Sequence, residues 1–138
     1  MTEVELRRLE LRDLNAIEEI ERSAYPTPWS RSMFASELAK PSSLCLGAFE
    51  PGTDRLIGYL IISRYVDAWH VMNVAVDPDH RRQGIASLLV ARAMVRGHAL
   101  GARFGSVTTQ LWNAPAQATY ARLGFTPQRI MVGRLLDQ

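Results

Sequence analysis

The chain has a single cysteine, Cys45, so it can form no internal disulfide, and no group of cysteines and histidines has the spacing of a zinc site. No metal is expected. There is no G-x-x-x-x-G-K-[ST] and no G-x-G-x-x-G following a strand, which removes the defining glycines of the P-loop and of the dinucleotide fold. No apolar run approaches the roughly 20 residues of a membrane helix. The start, "MTEVELRRLELRDL", has no apolar stretch behind a basic flank, so it does not read as a secretion signal. Repeats, linkers and low-complexity tracts are missing as well. Lysine is nearly absent too, since Lys40 is the one exception among 16 basic residues, and a net charge of +2 is too small to imply nucleic acid. These absences leave a cytoplasmic protein without membrane or nucleic-acid partners, and its length of 138 residues fits one domain spanning 1–138.

Within that domain the patterns alternate between strand and helix. "VELRRLEL" reads as a first strand. Asp13 stands where a helix N-cap would, ahead of Leu14, Ile17, Ile20 and Ala24 at helical spacing. "YPTPWS" is a loop, because each proline disfavours the helical basin in the residue before it. Ser30 caps a second helix, "RSMFASELAK", that ends before Pro41. Leu44–Phe49 and "LIGYLIISRYV" form a hairpin across the turn "EPGTDR", with Cys45 a buried strand residue; "WHVMNVAV" is the next strand, halted by Asp77-Pro78. A helix opens near Gly84 and ends near Gly101, a candidate left-handed cap. "FGSVTTQLW" is a strand, "NAPAQATYARLG" a helix entered through Pro115, and "FTPQRIMVGRLL" a closing strand or hairpin. The order β-αα-βββ-α-β-α-β is that of a mixed α/β domain.

"VAVDPDHRRQGIASLLV", Val74 to Val90, carries the most chemistry. A strand that stops, two arginines and a helix opening on glycine aim unpaired N–H groups and the positive end of the helix dipole at one place, which suits an anion and best of all a diphosphate. Gly84 keeps no side chain between ligand and backbone, and Ala86 is nearly as small. The plainer reading makes Gly84 a helix-start glycine and Arg81 and Arg82 solvated charges.

The same stretch, followed by "NAPAQATYARLGF", resembles the Gcn5-related N-acetyltransferases (GNAT), which bind acetyl-coenzyme A. The matching pattern is R/Q-x-x-G-x-G/A at Arg81, Gly84 and Ala86, then Asn113, then Tyr-x-x-x-Gly-Phe at Tyr120, Gly124 and Phe125, over residues 70 to 126. "ERSAYPTPWS" and "NVAV" look most like the RimI group, which acetylates the N-terminal alanine of a ribosomal protein. The resemblance implies a mixed, mostly antiparallel central sheet flanked by helices. It implies that the backbone of Val74, Ala75 and Val76 pairs with the pantetheine arm, that Arg81, Arg82, Gln83, Gly84, Ile85, Ala86 and Ser87 hold the diphosphate, and that Asn113 binds the arm further on. Tyr120 would protonate the leaving thiolate, although on the bare pattern it could be a core aromatic. Transfer would be direct to an amine, most simply a protein N-terminus and a ribosomal protein among the candidates, by a monomer or weak dimer.

The acceptor side departs from the family. Where RimI-like proteins have a glutamate in the strand before the Asn, this chain has Thr108, which cannot serve as a base. His70, at the head of the strand leading to the clamp, is one replacement, since an intrinsic pKa of about 6.5 suits proton transfer; a half-exposed strand histidine is the alternative. A water reached through Asn73 or Thr108 is another route. His80 and His98 suit the role less well: His80 sits among the arginines, and His98 falls late on a helix whose C-terminus it can complement. Trp29, with Pro26 and Pro28, would cover the acceptor, or would simply staple the second helix to the sheet. The tyrosine pair usual near the RimI-like C-terminus is absent from "RIMVGRLLDQ". Two other readings follow from these losses: a coenzyme A binding module without catalysis, and an acetyltransferase of small cationic amines. Glu18, Glu21 and Glu37 are the acids available to an acidic cleft for such amines, and each is equally readable as a helix-surface charge.

Overall fold

The computed structural model describes residues 3–65, 68–99 and 104–107. Strand β1 (Glu5–Arg8) is followed by helices α1 (Leu14–Ala24) and α2 (Arg31–Ala39). Strands β2 (Ser43–Phe49), β3 (Leu56–Tyr65) and β4 (Ala68–Val76) lead to α3 (Ile85–Ala99) and β5 (Phe104–Val107). The sheet runs β1-β2-β3-β4-β5 in chain order, antiparallel up to β4 and parallel between β4 and β5. It is the mixed, mostly antiparallel sheet expected from the sequence. The closing helix and strand expected after residue 107 lie outside the described residues, as does Gly101.

Two apolar cores explain the near-continuous hydrophobicity of β2 and β3, because both faces of the sheet are covered. Alternation sends Leu44, Leu60 and Ile62 toward Ile85, Leu89, Val90 and Ala93 of α3, and Ile57 joins them because the β2–β3 register shifts at Ala48/Phe49 and leaves it as an extra residue. Their neighbours Cys45, Leu56, Tyr59 and Ile61 pack against Leu14, Ile17 and Ile20 of α1 and Phe34 of α2. Phe34 meets Tyr59 edge-on with ring centroids 5.7 Å apart and Trp29 at 5.1 Å.

The helix starts differ from one another. Ser30 caps α2 as expected, its hydroxyl accepting from the Met33 N–H at 3.3 Å. Asp13 does not cap α1; a short 3-10 turn (Leu11–Asp13) precedes the helix, and the Asp13 carboxylate turns back to accept from the Glu10 N–H at 2.8 Å. The first strand is also shorter than the pattern "VELRRLEL" suggests.

One irregularity shapes the site. Between β3 and β4 the register steps from Ile62↔Val71 to Ile61↔Asn73, leaving Met72 as the extra residue of a β-bulge. Trp69 and Val71 point to the α3 side, whereas Met72 packs with the α1/α2 core. The bulge then places Asn73 on that same α1/α2 side, where it meets Glu21, before alternation resumes with Val74 facing α3 and Ala75 facing α1.

Candidate active site

The loop after β4 has an unusual backbone. Asp77 starts a 3-10 turn (Pro78–His80), its side chain accepting from the Asp79 N–H at 3.1 Å. Arg82 and Gly84 then both take positive φ, 65° and 77°. A non-glycine residue in this region is uncommon and is tolerated where surrounding structure demands it. The two left-handed turns swing the chain into α3, whose first intrahelical bond runs from the Leu88 N–H to the Gly84 carbonyl at 3.0 Å. The N–H groups of Ile85, Ala86 and Ser87 have no carbonyl one turn behind them, so they point out of the helix end. A Cβ built on Gly84 would meet nothing within 4 Å among the described residues, which leave the space over this glycine open. Beside it, the Gln83 Oε1 and the His80 Nδ1 are buried without a hydrogen-bond partner among the described residues.

The edge of β4 next to this loop is equally particular. β3 covers one edge of Val74–Val76, but β5 pairs with Ala68–Val71 only, so the other edge of Val74–Val76 has no partner strand among the described residues. The Asp77 N–H bonds to the Ile57 carbonyl of β3 at 2.7 Å, and alternation therefore turns the Val74 and Val76 polar groups to the opposite edge. Both carbonyls there are already engaged: the Tyr25 hydroxyl donates to Val74, and the Arg81 Nε donates to Val76 at 3.2 Å. The groups left for an added strand are the Val74 and Val76 N–H donors, which suit the carbonyl oxygens of an amide-bearing arm. Arg81, expected to add charge to the anion site, folds back onto the end of β4 instead, while Arg82 is exposed at the loop. The donors and open space fit a diphosphate with an extended amide arm.

A buried polar cluster lies behind that edge. Glu21 is 2% exposed on α1, and its carboxylate accepts from the Tyr59 hydroxyl, the Asn73 Nδ2 at 2.9 Å and the Trp29 N–H at 2.9 Å. Burial and the neighbouring Glu21 carboxylate push the Tyr25 hydroxyl up to about 12 despite the opposing Arg81, and the Tyr59 hydroxyl is pushed up by burial and by its bond to Glu21. Both phenols therefore stay protonated donors at any physiological pH. Glu37, on α2, is buried as well and accepts from the Ser43 hydroxyl at 2.9 Å and from the Lys40 Nζ. Glu21 and Glu37 are thus not the helix-surface charges that was one reading of them; only Glu18, in an ion pair with exposed Arg31, is near the surface. The sequence carried a signal for Glu21. It falls four residues after Ile17 and seven after Leu14, on the apolar stripe of α1, where a charge calls for partners.

Among the other expected site residues, Asn73 and Trp29 are brought to this cluster, and Trp29 lines a groove of about 270 Å³ with Ser32, Met33, Ser36, Glu37 and Met72. His70 is half-buried on β4, opposite Ser63, and alternation turns it to the same side of the sheet as Met72. Burial lowers its pKa below the usual 6.5, so its imidazole is neutral at pH 7. Thr108, Asn113 and Tyr120 lie outside the described residues. Cys45 is buried and its thiol is pushed up to about 12, chiefly by burial and then by Glu37. Among the described residues no group of acids, histidines and cysteines could hold a metal, and no helix is long and apolar enough to cross a membrane.

A helix end open to a diphosphate beside a strand edge offering N–H donors defines a coenzyme A type acyltransferase architecture. The acetyltransferase (GNAT) family model matches residues 14–125, and the chain belongs to that family, whose members use acetyl-coenzyme A; it is an N-acetyltransferase. Among the proteins it resembles is the [ribosomal protein bS18]-alanine N-acetyltransferase of Escherichia coli K12, 31% identical over 122 residues, covering 88% of this chain and 80% of that protein. The crystal structure of the ribosomal-protein-S18-alanine N-acetyltransferase from Escherichia coli superposes with a TM-score of 0.84 at 29% identity, covering 91% of this chain and 79% of the other. A third, the PaiA N-acetyltransferase of Thermoplasma acidophilum in complex with coenzyme A, shares the fold alone, with a TM-score of 0.81 at 19% identity and 92% of each chain covered.

Proposed function

We propose that this protein acetylates the α-amino group of a protein N-terminus, taking the acetyl group directly from acetyl-coenzyme A, and that an N-terminal alanine such as that of ribosomal protein bS18 is its first candidate acceptor. The observation that carries the reading is the pairing of the α3 N-terminus with the N–H edge of β4, both left open by the described residues, in a chain related to alanine N-acetyltransferases. Bound acetyl-coenzyme A supplies a thioester, whose thiol of pKa about 8.5 is a fair leaving group. Gly84, Ile85, Ala86 and Ser87, with Arg82 and Gln83, hold the diphosphate; Val74 and Val76 hold the arm through their N–H groups, and Asn113 binds it further on. Arg81 contributes through the strand end it bonds.

The acceptor amine enters from the side of Trp29 and Asn73. An α-amino group has an intrinsic pKa of about 8, so a base that takes its proton helps at neutral pH. His70 serves as that base: its imidazole is half-buried, neutral at pH 7 and on the face that carries Met72. Thr108 takes part through a water, and Tyr120 gives a proton to the departing sulfur. The reaction takes place in the cytoplasm, where ribosomal proteins are made.

The test is a thermal-shift titration with acetyl-coenzyme A, followed by mass spectrometry of peptides beginning with Ala, Ser, Met or Gly and of small polyamines. Stabilisation by the coenzyme and N-terminal acetylation of the alanine peptide are expected. Stabilisation with no product from any amine would leave only a coenzyme A binding module, and no stabilisation at all would end the reading. Tyr120→Phe should lower kcat at unchanged acceptor KM; weaker binding with turnover intact would remove Tyr120 from the chemistry.

A further inference from the structure

A carboxylate that is almost wholly buried must be satisfied by donors, and which donors satisfy it decides what it ties together. Glu21 draws its three from three separate parts of the chain: the Tyr59 side chain on β3, the Asn73 side chain at the β4 bulge, and the main-chain N–H of Trp29. The third differs in kind. Trp29 lies between α1 and α2, in a segment with Pro26 and Pro28 and little regular hydrogen bonding of its own. Its ring packs on Phe34 and lines the groove of about 270 Å³ together with Met72 of the bulge. A second tie runs in parallel, since the Tyr25 hydroxyl at the start of the same segment donates to the Val74 carbonyl.

We infer that Glu21 is a positioning residue for the acceptor: through Trp29 on one oxygen and Asn73 on the other, it holds the α1–α2 segment at a fixed height above β4 and so sets the width of the groove that receives the first side chains of the acceptor peptide. The inference rests on the proposed peptide acetylation. Glu21 does not touch the reacting atoms, because both of its oxygens are occupied by the protein's own donors. Tyr59 and Asn73 share Oε1 while Trp29 has Oε2, so the two halves of the carboxylate serve the sheet and the segment separately.

That division makes Glu21→Gln informative. A glutamine keeps the shape, and its one carbonyl oxygen can go on accepting from Tyr59 and Asn73, but its amide nitrogen then faces the Trp29 N–H, donor against donor. The segment is released while the sheet contacts stay. Acceptor KM should rise by roughly tenfold or more, with the affinity for acetyl-coenzyme A changing by no more than about twofold. A purely structural role would lower thermal stability and the active fraction, hence apparent kcat, and leave acceptor KM where it was; that result overturns the inference. Hydrogen exchange of the wild-type protein, read residue by residue by NMR, needs no variant. The Trp29 amide should exchange at least about a hundredfold more slowly than that of exposed Thr27. Equal rates overturn the inference. Should the wild-type protein acetylate no peptide, the functional proposal fails, and the exchange rate at Trp29 still decides whether Glu21 holds the segment.

Discussion

Gly84 and Gly52 form a matched pair for testing the anion site. Gly84, before α3, has φ of 77° and Gly52, in the β2–β3 turn, has φ of 75°; at neither would a Cβ meet a described residue within 4 Å. Alanine at either position meets the same obstacle, the left-handed conformation that costs an L-residue roughly 1–2 kcal/mol. Loss of glycine's freedom in the unfolded chain offsets about 0.4–1 kcal/mol of this. The net cost is about 1 kcal/mol for each variant, which for a domain of this size lowers Tm by roughly 3–5 °C. The two should part company in ligand binding. At position 84 the new methyl group projects into the open space over the helix end, where a diphosphate must lie against the N–H groups of Ile85 and Ala86. Holding it off costs the charge-assisted hydrogen bonds, about 1.5–3 kcal/mol each, and losing one weakens binding by a factor of about 10 to 100. Isothermal titration calorimetry with acetyl-coenzyme A, alongside melting curves, reads both quantities. If Gly84→Ala and Gly52→Ala lose the same few degrees and both bind the coenzyme like the parent, the diphosphate does not sit on α3, and the placement of the whole arm is wrong.

Other consequences can be checked as directly. His70→Gln should lower kcat about a hundredfold or more at pH 7, with part of the loss regained at higher pH as more of the acceptor amine is free of its proton. Because burial lowers the pKa of His70, the acid limb of kcat/KM due to this base should lie below pH 6.5, and a limb well above it would point to another group. The same shift has a sign in stability: the unfolded chain binds the proton more readily, so this contribution is intact above pH 6.5 and is lost as pH falls through the lowered native value, as melting curves against pH would show. Cys45, buried with its thiol near 12, should resist iodoacetamide in the native protein and react only on unfolding; fast labelling at pH 8 would contradict that burial. Phe34→Ala removes a fully buried ring that touches both Trp29 and Tyr59, and should cost about 3–5 kcal/mol in chemical denaturation.

What could be read in the sequence was what short patterns encode. The hairpin, the Ser30 cap and the start of α3 after Gly84 each follow from a few neighbouring residues, and the loop proposed for the diphosphate is legible because its strand end, arginines and glycine are contiguous. Asp13 misled for a local reason, since its carboxylate had a competing partner three residues back, at Glu10. The acceptor side was much less legible. Glu21 pairs with residues 38 and 52 positions away, and the bulge at Met72 shows only in how β4 pairs with β3. Arg81 was matched to its motif, yet its hold on the Val76 carbonyl depends on the 3-10 turn Pro78–His80 that lies between the two residues.

The extra residue in β4 makes Met72 the position whose loss the pairing itself would absorb. Val71 faces α3 and Asn73 faces α1, so deleting codon 72 leaves the two in strict alternation, with Ile62↔Val71 and Ile61↔Asn73 as successive pairs and every flanking side chain on its present face. What the deletion gives up is local: the Met72 wall of the groove and the extra twist that a bulge lends its strand. A gene for this protein should therefore still encode a folded sheet without codon 72, with the damage confined to the groove beside Trp29.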